Sequence, residues 1–594
     1  MLEDTGKVIA RLYKALQDLK EDLILGGTLH VSFVSAQILY GVERLGTLLH
    51  LFLSHFLLST STLEVRIEAL KLLKPADMNA SARSECLNGT RVDILVKIIH
   101  WLLNPEPLDF NTLWLFGPAG TGKSTICTTV AQYFYHLRRR GAFLLCDQNN
   151  PVNNEPTRLI RTLAHQLAYF EPSIGDAIAN VIQNRPDIVN TPFHEQLRGL
   201  LLEPLDATKY LDTNGPIIII IDGLDECGDE TTRSALLKAL SEGLSKFPSG
   251  FRFLIASRDI PDIRAAMQKS NVDPLQLTID DEVNNRDIVE FLLQLRRRDI
   301  PSFEPLDLPH DWPTDQTIRR LAQLSGGLFI WASTAFNHIK DSYNPIDALQ
   351  DILNVSPETG PLKSLDELYV KALEQPFRSS RLADAETLKK VLGGIVVAQE
   401  RMTDTMLSKM ISCDLRTVRA ILSRLRSLLH WNPDRPIRVL HTSFTDFLCR
   451  SNLPACSKWQ INASAHHEIF STACFRIMRE GLRFNICAID SSYSYTYNLM
   501  EDEPERIQRA VSAELAYACQ HWAVHVKLLP GSASDGALVA SRLMYFMKTQ
   551  YLWWLEVLSL THLVPIAPSA LRESAQWIKV SLSGGISLIY SPTS

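Results

Sequence analysis

The sequence predicts an α/β domain, a parallel sheet flanked by helices, set in a chain that is otherwise helical. Three observations predict it. Between residues 95 and 280, apolar runs of four to six residues alternate with amphipathic stretches: "LWLF", "AFLLC", "IIIIID", "FRFLIAS" and "PLQLTI". Short apolar runs separated by helix-length segments are the pattern of strands buried on both faces. After 280 the strand signal fades, and before 75 leucines recur at three- and four-residue spacing in "VIARLYKALQDL" and "LEVRIEALKLL", which is helical periodicity.

In chain order, residues 1–85 read as a helical region and linker. The stretch "LGTLLHLFLSHFLLSTSTL", 45–63, carries no formal charge and approaches the length of a membrane span. His50, His55 and its Ser/Thr-rich end break that apolarity, so a buried helix and membrane association both stay open. "KPADMNASARSECLNGT", 74–90, is small and polar and reads as a linker. The α/β domain occupies 86–280. A helical domain follows over 281–375, its segments "NNRDIVEFLLQLRRRDI", "DQTIRRLAQLSGGLFIWASTAFNHIK" and "SLDELYVKALEQ" opening on Asn, Asp or Ser, residues that cap helix N-termini. Over 376–450, three short helices lead into "HWNPDRPIRVLH", whose N-P-D turn between extended arms suggests a hairpin. Helices followed by a hairpin give a winged-helix reading. The remainder, 451–594, is mostly helical and aromatic-rich, without an internal repeat.

A chain of 594 residues is too long for one core and should divide into about three to five domains. Its net charge of -6 gives no basic bias toward nucleic acid as a partner. The "RRR" stretches at 138–140 and 296–298 read as solvated helix ends. The ten cysteines include no C-x-x-C pair and no secretory signal opens the sequence, a pattern of reduced thiols in a cytoplasmic setting. "HWAVH" places His521 and His525 on one helix face without an acidic or Cys partner nearby, read as a packed surface pair rather than a metal site.

The chemistry lies in "FGPAGTGKST", 116–125, between an apolar run and a helix. Gly117, Gly122, Lys123 and Ser124 match G-x-x-x-x-G-K-[ST], the P-loop pattern. Its glycines let the N–H groups of Gly117, Ala119, Gly120 and Thr121 through Thr125 turn around phosphate oxygens at a helix N-terminus, with Pro118, which has no N–H, in the same loop. Lys123 would neutralise phosphate charge and Ser124 would ligate Mg2+. Asp222 ends the isoleucine run of "IIIIIDGLDE" and is the second candidate metal ligand. Asp225 and Glu226 stand where an attacking water would be oriented and deprotonated; the alternative is a solvated acidic turn. Arg258, in "FLIASRD", is placed to sense a γ-phosphate at the sheet's C-terminal edge, or forms a surface salt bridge. The cofactors are therefore ATP or ADP with Mg2+.

These elements, with Gly223 after the metal carboxylate and the "DE" pair beyond it, resemble the NACHT family of the STAND class of signalling NTPases. "NGTRVDILVKIIHWL", "LSGGLFIWASTAF", "LDELYVKAL" and "VLHTSFTDFLCR" look like the fungal nephrocystin-3 N-terminal-like subgroup, and the resemblance covers about residues 86–525. It implies a switch that is ADP-bound and closed at rest, and ATP-bound and self-associating when active, with slow hydrolysis that resets it and a downstream effector the sequence does not name. Fungal innate immunity, non-self recognition or programmed cell death is the implied setting. It also implies that His441 contacts the β-phosphate of ADP in the closed state; the alternative is a structural histidine at a strand end. Family members usually carry repeat arrays after this core, and no array follows here, so either a truncated product or sensing through the C-terminal helices is expected. Two other function classes stay open. One is a DNA-binding regulator using Arg416, Arg419, Arg424 and Arg426 of "DLRTVRAILSRLRSLL"; the other is a remodelling ATPase or nucleotide kinase, for which no acceptor site stands out.

Overall fold

The computed structural model describes residues 66–76, 83–104, 110–148, 151–207, 215–270, 272–299, 311–342, 344–354, 361–374, 382–450, 458–488, 503–530 and 536–583. The 45–63 stretch lies outside them. Among the described residues, no helix is long and apolar enough to cross a membrane. The chain divides into two compact units, 1–75 with 160–212, and 76–159 with 213–594.

In the first unit, Ile174, Ile178 and Ile182 recur every fourth residue on the helix Pro172–Asn184 and are fully buried. A Cβ on Gly175 would stand 2.5 Å from the Ala168 carbonyl oxygen, so only glycine admits that backbone approach. Arg66 pairs with Asp176 at 3.1 Å.

The second unit holds the sheet. β1 (Thr112–Phe116), β2 (Arg140–Leu145), β3 (Ile217–Asp222), β4 (Phe251–Ser257) and β5 (Val272–Gln276) pair in parallel, in the order β2-β3-β4-β1-β5. Every residue of β3 and β4 is buried, which is why these runs show no alternation of apolar and polar residues. The register sets Phe116 beside Ser257 and Asp222 beside Ala256. The C-terminal ends of β1, β4 and β3 thus finish side by side, where open α/β sheets bind ligands.

Two local expectations are corrected. β5 stops at Gln276 rather than running through "PLQLTI", because its neighbour β1 ends at Phe116; the Leu277 N–H makes the last bond, to the Phe116 carbonyl at 2.8 Å. Residues 138–140 are not a solvated helix end. The preceding helix closes at His136, Arg138 turns the chain with φ 54°, and Arg140 opens β2 with its guanidinium 4.6 Å from the Tyr135 ring centroid.

Beyond the sheet the unit is helical around one continuous apolar core reaching from Ile288 to Trp577. The long 315–340 segment splits into helices Asp315–Leu324 and Phe329–Lys340. Gly326 and Gly327 make the break with φ 54° and 82°, and a Cβ on Gly327 would meet the Ile279 carbonyl oxygen at 2.1 Å. Helices Leu382–Val397, Asp404–Met410 and Leu415–Arg424 lead into an antiparallel pair, β6 (Leu429–His430) and β7 (Arg438–Val439). Arg419 is committed inside this arrangement: it bonds the fully buried Asp404 at 2.7 Å and Asp434 at 2.9 Å, tying its helix to the turn between the strands.

The His521–His525 expectation is corrected as well. Both are buried, on the face of Ala513–Lys527 that packs inward with Trp522, and each has a polar partner. His521 Nε2 lies 2.7 Å from Glu400 Oε1. The His525 ring spans Tyr517 Oη and His467 Nδ1, each at 2.9 Å. The helix is buried over most of its circumference, with Tyr517, Ala518, Cys519, Ala523 and Val526 inside alongside both histidines, so the pair cannot lie on a solvated face.

Candidate functional site

β1 delivers the glycine-rich loop and the helix Lys123–His136 carries it into the layer below. Gly120 and Gly122 hold φ 81° and 92°, a left-handed conformation that other residues adopt only with strain. Close approach adds a second requirement. A Cβ on Gly117 would stand 2.9 Å from the Leu277 carbonyl oxygen, and one on Gly120 would stand 2.1 Å from Ile330 Cγ2. The Gly120 carbonyl also accepts from the Ile330 N–H at 3.1 Å, so the start of the Phe329–Lys340 helix lies directly on the loop. Beneath it, the Thr121 hydroxyl donates to the Pro118 carbonyl at 3.0 Å, and the Thr121 carbonyl accepts from Arg91 Nη2 at 2.7 Å.

Lys123 Nζ donates to the Gly117 and Pro118 carbonyls, both at 2.8 Å. Burial lowers its pKa, with Asp225 and Asp222 working the other way. The ammonium is thus held inside the loop by neutral acceptors, ready for a stronger anionic partner. Ser124 Oγ donates to Asp222 Oδ1 at 3.1 Å. Burial raises the pKa of Asp222 at the end of β3, and Arg83, Ser124 and Lys123 oppose that shift.

The acidic pair separates into two environments. Asp225 Oδ1 accepts from the Arg258 N–H at 2.9 Å and Oδ2 lies 3.1 Å from Arg258 Nε. Glu226 accepts from the Gln148 N–H at 3.3 Å. Burial, then the neighbouring Asp225 charge, pushes its carboxyl up to about 8. Asp225 is therefore the arginine-bonded carboxylate of the two, and Glu226 the one whose carboxyl is raised by burial.

Arg258 reaches across the cavity as well. Its Nη1 bonds Asp446 Oδ2 at 2.6 Å and its Nη2 donates to Thr442 Oγ1 at 3.0 Å. Thr442 and Asp446 are i and i+4 on the helix Thr442–Cys449, so they share a face. His441 is the N-cap of that helix. Its Nδ1 accepts from the Ser443 N–H at 3.1 Å and lies 2.6 Å from Ser443 Oγ, which in turn is 2.8 Å from Tyr369 Oη. Burial, then the Arg258 charge, pushes its pKa down to about 3. The ring is neutral, and with Nδ1 accepting, its proton sits on Nε2. His441 Cε1 lies 3.9 Å from where a Cβ on Gly120 would stand, which sets the imidazole over the P-loop.

One cavity of about 550 Å³ is lined by Ala119, Gly120, Gly122, Lys123, Ser124, Thr125, Asp222, Asp225, Glu226, Arg258 and His441. Gly117, Pro118 and Thr121 shape the loop without lining it. Three contributors escaped the sequence reading. Arg83 bonds Asp222 Oδ2 from within the stretch read as a linker, a correction to that reading; the Cys86 N–H anchors the same stretch on Thr129 Oγ1 at 2.8 Å. Arg91 supports the loop from below with its guanidinium 4.5 Å from the Phe329 ring centroid. Asp446 holds Arg258. Only the i, i+4 spacing of Thr442 and Asp446 carried any signal, and it gave no hint of a partner.

The hydroxyl of Ser124 and the carboxylate of Asp222 are hard oxygen donors meeting at one point, the donor set that Mg2+ takes alongside phosphate oxygens and water. The loop, the helix N-terminus and Lys123 fit a phosphate chain.

Comparison with known proteins agrees with this geometry. Residues 95–258 match the family model described as nephrocystin 3, N-terminal. That segment is a nephrocystin 3 N-terminal domain. It spans β1, the P-loop, Asp222 and Arg258. The chain is also 23% identical over 491 residues to the vegetative incompatibility protein HET-E-1 of Podospora anserina, covering 78% of this chain and 34% of that protein. It thus spans about a third of the length of this curated relative. Both matches agree with the NACHT resemblance of the motifs around the nephrocystin 3 N-terminal domain. Two solved structures are more distantly similar. Cdc6p from Pyrobaculum aerophilum is 12% identical with a TM-score of 0.26, over 64% of this chain and 92% of that one. RuvB from Thermotoga maritima is 12% identical with a TM-score of 0.23, over 61% and 96%.

Proposed function

We propose that the chain is a nucleotide-dependent signalling switch. It binds ATP or ADP with Mg2+, hydrolyses ATP slowly, is closed with ADP and open and self-associating with ATP. By its likeness to a vegetative incompatibility protein, its setting is fungal non-self recognition or cell death. In this reading 86–280 is the nucleotide domain, 281–375 a helical domain, 376–450 a winged helix that carries His441 and Asp446, and 451–594 the C-terminal helical region.

The observation that carries the reading is Arg258. One guanidinium joins Asp225, the candidate water-orienting carboxylate, to Asp446 on the helix capped by His441. A γ-phosphate at the sheet edge would draw the same guanidinium, so occupancy of the site and the position of that helix compete for one cation. A ligand shifts a two-state equilibrium only through contacts that differ between the states, and Arg258 and His441 supply such contacts. Ser124 and Asp222 would hold the metal, which would neutralise charge on the phosphates. Lys123 and the loop N–H groups would bind the phosphate chain, and His441 Nε2–H would donate to it in the closed state.

Glu226, held mostly protonated at neutral pH by its pKa of about 8, accounts for slow hydrolysis. Only a minor fraction of molecules carries the base form at pH 7. Turnover should therefore rise with pH, roughly tenfold per unit below about 8, and level off above it. Glu226→Gln should abolish that rise while leaving ATP binding within about threefold. A flat single-turnover profile from pH 6 to 9 in the unsubstituted chain would assign the base elsewhere.

A further inference from the structure

Asp222 is almost completely buried, and its two oxygens are engaged differently. Oδ1 accepts from Ser124, whereas Oδ2 is bonded by Arg83 Nη1. A buried carboxylate needs a compensating charge, and Arg83 provides one. Arg83 is therefore held by the carboxylate at the candidate metal position, 139 residues away in sequence. The rest of the segment has separate anchors: the Cys86 N–H on Thr129 Oγ1 at 2.8 Å and Arg91 on the Thr121 carbonyl at 2.7 Å. On the N-terminal side of Cys86, the pairing with Asp222 ties the segment to the sheet.

We propose that Arg83 is a resident counter-ion that competes with the divalent metal for Asp222, so that loading Mg2+ with nucleotide frees residues 83–85 from the sheet edge. This rests on the nucleotide-switch reading above and adds a regulatory element to the same site. A divalent cation on Asp222 and Ser124 and a guanidinium on the same carboxylate would repel strongly in so dry a place, and Asp222 cannot neutralise both. The metal requirement of the site is then set partly by a residue ahead of the P-loop, and the metal-loaded state is signalled to the chain that precedes it.

The test uses the full chain, a fluorescent ADP analogue and a Mg2+ titration. In Arg83→Ala, half-saturating Mg2+ should fall on the order of fivefold or more, with metal-free affinity for the analogue unchanged. Arg83→Lys should stay near the unsubstituted value, because it keeps the competing charge. Equal Mg2+ requirements in Arg83→Ala and the unsubstituted chain would overturn the proposal. So would a loss of metal-free ADP affinity in Arg83→Ala, which would make Arg83 a phosphate ligand instead. Should Arg83→Ala fail to fold, trypsin cleavage after Arg83 in the unsubstituted chain decides. It should be faster with Mg2+ and ADP than with ADP and EDTA, and equal rates would overturn the proposal. An unsubstituted chain that binds no ADP analogue at all would overturn the switch reading and this inference with it; binding without the Mg2+ shift would overturn the inference alone.

Discussion

Lys123→Ala should weaken ATP and ADP binding by about 100-fold or more, a loss of about 2.7 kcal/mol. The size follows from what the ammonium does. In the structure it lies within the loop and donates to two neutral carbonyls at 2.8 Å. A phosphate oxygen offers it a charge-assisted bond that is roughly twice as strong, in a site where burial already works against an unpaired ammonium. The substitution leaves the glycine geometry and the packing of Gly120 on Ile330 untouched, so circular dichroism and melting of the nucleotide-free protein should change little. Isothermal titration with both nucleotides checks it. Affinity within about threefold of the original, well under 1.4 kcal/mol, would remove the P-loop from the phosphate site.

His441→Ala and Asp446→Ala should each bias the chain toward the assembled state without a trigger. His441 sets its ring beside the loop at Gly120, with Cε1 3.9 Å from where a Cβ there would stand, and Asp446 holds Arg258 at 2.6 Å. Both contacts belong to the Thr442–Cys449 helix and its cap, so both are lost if that helix leaves the site. A hydrogen bond to a charged group contributes about 1.5–3 kcal/mol. Removing one that exists in only the closed state shifts the equilibrium by about tenfold or more. ADP should be weakened more than ATP. The double variant should exceed either single one without reaching their sum, since the two positions share one helix and one cavity. Size-exclusion chromatography with each nucleotide reads the assembled fraction. Equal loss of both nucleotides with an unshifted monomer would leave His441 and Asp446 as packing residues.

The sheet and the loop were legible because their signals are local. β3 is six consecutive buried residues ending in Asp222, and the P-loop glycines, Lys123 and Ser124 stand in one short stretch. The residues that tie this core to its surroundings were not legible, because their partners are far away in sequence. Arg83 meets Asp222 across 139 positions, and Arg258 meets Asp446 across 188. Composition misled in two places for the same reason. A small, polar stretch resembles a linker unless the carboxylate that holds its one arginine is known. A histidine pair at i, i+4 resembles a surface feature unless the Tyr517, His467 and Glu400 partners are known. The break at Gly326 and Gly327 was hidden within a long amphipathic run, since close approach to the Ile279 carbonyl leaves no periodic trace.

The most direct measurement is the solution mass of the purified 66.9 kDa chain, by light scattering after chromatography, taken first with its co-purifying nucleotide identified and then after exchange into a non-hydrolysable ATP analogue with Mg2+. A nucleotide switch closed by Arg258 and His441 should purify with ADP as a monomer and move to a multiple of that mass with the ATP analogue. A chain that purifies without nucleotide, or shows one mass in both states, would contradict it.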